Sequence, residues 1–165
     1  MKKFILFTLL LFFGCSKNYE KEIFEADNLI KLGKFKQAIE LLKKVANEND
    51  EKFSPIALKN LANIYQQHLL KEINYYESQK IAQKYFYKIY EKFPSSSDAP
   101  KSLFMSAYLL ANEIKDYKQA TKHYNLFIEK YPQDELVKDA KIELENMGLP
   151  PEEIHKKNIV KSDAN

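Results

Sequence analysis

One thiol stands in this chain, Cys15, and it follows an apolar run and a glycine in FILFTLLLFFGC. A lone cysteine in an exported protein can form no internal disulfide, so the chemistry open to its sulfur is modification, acylation above all. The imidazoles offer less. His68, His123 and His155 lie far apart and show neither HxxxH nor HExxH spacing, so no zinc site is expected, and each is read as a partly exposed surface residue. Ser95-Ser96-Ser97 is a run of hydroxyls before an expected helix, where serine normally caps rather than attacks. The chain has no Gly-rich phosphate loop and no GxSxG elbow. No acid, base and nucleophile converge in the sequence, so the expectation is a protein that is not an enzyme and needs no metal or cofactor.

The setting of Cys15 carries more information. Lys2 and Lys3 form a positive start, and Phe4 to Phe13 form an apolar run of ten residues. That run is short of the roughly 20 residues a bilayer span needs, but it suits a secretory signal. Leu11-Phe12-Phe13-Gly14-Cys15 resembles a bacterial lipobox, with Leu11 one place early. The resemblance implies a signal peptide over 1–14, a diacylglyceryl group on Cys15, and a lipidated tether over 15–18. Ser16 in place of Asp implies sorting to the outer membrane, facing the periplasm.

Without residues 1–14 the chain keeps 151 residues and a formal charge of +1. That is one domain with room for a core, and its near neutrality speaks against a nucleic-acid partner. All 26 basic residues are Lys, with Arg and Trp absent. Three Gly and six Pro in a chain rich in Leu, Ala, Glu and Lys favour helices over strands.

Internal repetition fixes the organisation. YESQKIAQKYFYKIYEKFP and KDYKQATKHYNLFIEKYP both end in aromatic-Pro, with Ala82 and Ala120 each twelve residues before that proline. LGKFKQAIELLKKVANEND is an earlier copy, with Ala38 in the matching place and no proline. Upstream helices supply Ala26, Ala62 and Ala107 as further small residues for close helix approach. These phrases resemble the tetratricopeptide repeat, and SSSDAPKSLFMSAYLLANEIKDYKQATKHYNLFIEKYPQDELVKDAK over 95–141 carries the likeness most fully. The resemblance implies an all-α fold, a right-handed superhelical array of antiparallel helix pairs, about three repeat units with a C-terminal capping helix. The solenoid is expected over 19–148 and a polar C-terminal tail over 149–165. Helices are expected at about 19–32, 35–48, 54–72, 75–92, 98–113, 117–131 and 134–147. Ala62 to Ala82 spans twenty residues where Ala26 to Ala38 spans twelve, and the expectation is one added turn on each helix of the second pair.

In such repeats the first helices line a groove that holds a peptide or a partner helix. The resemblance places the groove on Asp27, Ile30 and Lys31, then Lys59, Asn63 and Gln66, then Lys101, Phe104, Tyr108 and Asn112. Lys59, Asn63 and Lys101 resemble part of a clamp for a C-terminal carboxylate. A second candidate is the tip of the long hairpin, where Leu69, Leu70, Ile73, Tyr75 and Tyr76 are more apolar than a solvated turn requires. The chain looks like a small outer-membrane lipoprotein scaffold of Tol–Pal or barrel-assembly type. Expected partners are other envelope proteins or peptides and the membrane through the N-terminal lipid, with a homo-oligomer possible through the tip. The second reading is an accessory subunit that presents substrate to a cell-wall or polysaccharide enzyme.

Overall fold

The computed structural model describes residues 18–163. The leader, Cys15 and the tether as far as Lys17 lie outside the described residues. Eight α-helices follow in chain order: α1 (Tyr19–Lys31), α2 (Phe35–Ala46), α3 (Phe53–Gln66), α4 (Tyr75–Lys92), α5 (Ala99–Leu109), α6 (Tyr117–Lys130), α7 (Val137–Asn146) and α8 (Pro151–Asp163). From α1 to α7 each packs on its neighbours in the chain, with α1 also touching α3. This is a helical repeat array with α7 and α8 as its closing elements. The six alanines Ala26, Ala38, Ala62, Ala82, Ala107 and Ala120 are all fully buried, where a longer side chain would force helix backbones apart. One core cluster joins α1 to α4 and takes in Leu109 of α5, the other joins α5 to α7, and Met105 and Tyr108 pack against both.

The turns explain why the copies look alike. Gly33, with φ 71°, is left-handed, Lys34 is the N-cap and Phe35 opens α2. Lys115, with φ 62°, Asp116 and Tyr117 repeat that arrangement before α6. Asp116 improves on Lys34, because its carboxylate accepts from the Gln119 amide at 3.1 Å. The aromatic-Pro ends also coincide. Phe93 and Tyr131 take nearly the same conformation, φ −131° and −129°, since the following proline excludes the helical region. Ala107 and Ala120 are thirteen residues apart rather than twelve. The extra residue is absorbed by a π-helical turn, Leu110–Ile114, that continues α5.

Three expectations change. The helix α3 stops at Gln66, not near 72. The eight-residue excess goes partly into one added N-terminal turn of α4 and otherwise into a loop over 67–74. The stop is made by His68, left-handed at φ 50°: its amide bonds to the Tyr65 carbonyl and the Leu69 amide to the Ile64 carbonyl. Gly33 and Lys34 make the same pair of bonds to Ile30 and Leu29. Histidine tolerates this conformation because its Nε2 lies 2.6 Å from the Ile73 carbonyl and its ring packs edge-on against Tyr75. Secondly, α7 starts at Val137, after a turn in which Asp134 accepts from the Leu136 amide. Thirdly, the polar tail expected over 149–165, for which no helix is expected, contains a helix over 151–163. Pro151 takes the first helical position and Glu152 and Glu153 fill the first turn, an arrangement that favours helix initiation. Lys157 ties α8 back to the Glu145 carbonyl at 3.0 Å.

Candidate functional site

Groove residues expected on α1 and α3 line one depression. Asp27, Ile30 and Lys31 of α1 and Asn60, Asn63 and Ile64 of α3 line an open depression of about 260 Å³, together with Leu69. Asn60 donates to Asp27 at 2.8 Å, which fixes the carboxylate while leaving its second oxygen for another donor. Gln66 stands at the end of α3, and its carbonyl is taken by the buried Gln79 amide at 2.9 Å.

Further along, the expected residues separate. Lys59 lies between both oxygens of Asp98, at 2.7 and 2.8 Å. A carboxylate from this chain therefore already occupies the place a clamp would offer to a partner. Lys101 is exposed and Asn63 faces the α1–α3 cavity, so the three clamp candidates do not converge. Phe104 is buried, edge-on to Tyr124 and Phe127; it belongs to the core instead of the groove surface. Tyr108 is half-buried, and Asn112 approaches Glu143 of α7 at 3.3 Å.

The long tip is a clip between pairs. Leu70 is buried, and Leu69 and Ile73 pack on the first core cluster. Leu69, Leu70 and Glu72 border an open depression of about 380 Å³ with the α1–α2 turn, and Glu72 pairs with Lys36 at 2.8 Å. On the other side, the Tyr75 hydroxyl donates to Glu113 of the π-helical turn at 2.8 Å, and that bond raises the Tyr75 pKa. Only Tyr75 and Tyr76 of the five tip residues remain about half exposed.

His123 is the residue whose environment departs furthest from expectation. It is buried, not on the surface. Its Nδ1 lies 2.9 Å from the Ser106 hydroxyl, which accepts from the Gln83 amide at 2.9 Å. Tyr87 stacks on the ring with centroids 4.5 Å apart. Burial, assisted by the nearby Lys122, lowers its pKa to about 4, against an opposing pull from Asp116, so the ring is neutral at pH 7. Ser106 is fully buried, hence unreachable by a substrate. This serine–histidine pair ties α4, α5 and α6 together; it is not arranged for acyl transfer. Among the described residues no group of three His, Cys, Asp or Glu side chains could hold a metal ion.

The sequence of residues 101–134, which spans α5, its π-helical turn, α6 and the following turn, matches the family described as tetratricopeptide repeat. The chain carries a tetratricopeptide repeat. No curated protein matches it. The matched repeat contains Ser106, His123 and Phe104, whose roles are internal. Sequence reasoning missed Asn60, Asp98 and Glu143, the partners of three groove candidates. Asp98 stands at the N-cap of α5, yet it makes no side-chain cap bond and serves Lys59 of the preceding helix pair. Nothing local to a repeat signals such bonds, because they run between helices 31 to 39 residues apart. Protein–protein interaction is the role this repeat supports.

Proposed function

We propose that this protein is a non-catalytic adaptor of the bacterial cell envelope, held by a lipid on Cys15 and binding another envelope protein or an extended peptide through the groove of α1 and α3. The observation that carries the reading is the α1–α3 cavity, where Asp27, Lys31 and Asn63 present charge and hydrogen bonds around the apolar Ile30. Such a mixture suits an extended peptide, whose backbone needs polar partners and whose side chains need apolar contact. Lys2, Lys3, the Phe4–Phe13 run and Gly14-Cys15 support export and lipidation, and Ser16 supports an outer-membrane position facing the periplasm. Within that setting a Tol–Pal or barrel-assembly role fits the repeat phrase over 95–141. The second reading, an accessory subunit delivering substrate to a cell-wall or polysaccharide enzyme, uses the same groove.

Two measurements test this. Wild-type protein should incorporate labelled palmitate and pellet with membranes, and Cys15→Ser should abolish the label and release the chain to the soluble periplasmic fraction. An unlabelled wild-type chain contradicts the anchoring. Co-purification after detergent solubilisation then separates the two readings: Tol–Pal or barrel components support the scaffold, whereas a synthase or hydrolase supports the accessory subunit.

A further inference from the structure

Among the described residues, no helix packs outside α1, the first helix of the array. The buried side of α1 is formed by Tyr19, Ile23, Ala26 and Ile30, which pack into the first core cluster, and its neighbours are α2 and α3. On the opposite side stand Phe24, 65% exposed, and Leu32, 68% exposed, the two most exposed large apolar side chains among the described residues. They are eight residues apart, so they sit about 12 Å apart along the axis and within roughly 80° of each other around it. Lys21 and Asn28 lie between them on that face, Lys31 beside them, and Glu20 and Glu25 at its edges.

What covers this face is indicated by the chain before it. An apolar run of ten residues broken only by Thr8, Phe4 to Phe13, and the Cys15 thiol precede the helix, and only Ser16, Lys17 and Asn18 intervene between Cys15 and Tyr19. Three intervening residues reach roughly 10 Å. Whatever lipid holds Cys15 is therefore within a few helical turns of Phe24. A second copy of the chain is a poorer occupant, since two apolar side chains from each of two copies, at about 150–250 Å² apiece, fall short of the roughly 1,200 Å² in total that a stable interface buries. A bilayer needs no such area, because the anchor already supplies the proximity and each inserted side chain adds to it. Lys21 can lie along the apolar boundary with its ammonium group among the headgroups.

We infer that α1 lies against the bilayer, with Phe24 and Leu32 entering the headgroup boundary, so that the array meets the membrane by its first helix and its later repeats point away. This rests on the anchoring of Cys15. The test uses the full-length chain reconstituted in vesicles of phosphatidylethanolamine and phosphatidylglycerol that contain brominated lipid. An environment-sensitive fluorophore is attached at Phe24→Cys or Leu32→Cys, with Lys118→Cys on α6 as the distant control, and flotation is measured on the same samples. The expected result is a chain that floats, with blue-shifted emission and several-fold stronger quenching at both α1 positions than at the control. Flotation with quenching no greater than at the control overturns the inference and leaves the anchoring intact. A blue shift without quenching means that protein, such as a second copy, covers the face, and this too overturns it. Failure to float removes both the anchoring and the inference.

Discussion

His123 shows how a single side chain can stand apart from its sequence context. The i, i+3, i+4, i+7 spacing of Ala120, His123, Tyr124 and Phe127 puts the ring on the buried face of α6, but the groups that enclose it, Gln83, Tyr87 and Ser106, come from the preceding helices and leave no local trace. Its titration should be measurable as stability. The unfolded chain's histidine titrates near 6.5 and the folded one at about 4, so between those values the unfolded state binds more protons. The contribution is therefore complete above pH 6.5 and is lost as pH falls toward 4. Urea unfolding at pH 7 and pH 5 should differ by about 2 kcal/mol from this group, and His123→Gln should remove that part of the difference. An unchanged pH dependence in the variant would mean that His123 is not held neutral. The neighbouring Tyr124 gives the opposite kind of test. Its hydroxyl is buried without a protein partner, and burial raises its pKa. Tyr124→Phe should therefore cost nothing and gain about 1 kcal/mol in urea unfolding, since it deletes an unsatisfied polar group. A loss of similar size would reveal a hydrogen bond at that oxygen.

At the scale of elements, the parts legible in the sequence were those with a local cause. The aromatic-Pro ends of α4 and α6 and the starts of α2 at Phe35 and α6 at Tyr117 each depend on residues within one turn, and each stands where the repeated phrases placed it. The end of α3 was not legible, because a left-handed histidine replaces the expected glycine and is held by contacts to Ile73 and Tyr75 beyond it. The helix α8 escaped notice for a different reason: its polar composition hid a proline start and an acidic first turn. The tip over 67–74 can now be divided by role. Leu70→Ser should lower stability by about 2 to 3 kcal/mol, the cost of losing a buried leucine side chain, and shift the thermal midpoint down. Tyr76→Ser should leave that midpoint nearly unchanged, because its ring is half exposed and contacts Lys80 at the surface. If both variants unfold alike, the tip is not divided in this way. A tip that also serves a partner would lose complex formation on joint replacement of Tyr75 and Tyr76 by Ser while the fold persists.

For the whole molecule, the array explains why so little chemistry is visible and why a surface remains. Its buried alanines, two joined core clusters and cross-helix hydrogen bonds all serve to hold helices in register. Fold class and repeat positions could be read directly, since repetition multiplies a weak signal. The groove could be read only in part: Asp27, Ile30, Lys31 and Asn63 are gathered around one cavity, whereas Lys59 is paired within the chain and Phe104 is buried. The central claim is that the α1–α3 groove binds the partner. It is tested most directly by carrying Asp27→Lys and Asn63→Lys together in the full-length chain, confirming helical content and thermal midpoint, and quantifying what co-purifies from solubilised membranes. The double variant should remain folded and membrane-bound and lose its co-purifying envelope protein by at least about tenfold, as expected when central contacts worth about 1.4 kcal/mol or more are removed. Undiminished co-purification of the same protein by the folded double variant would contradict the account.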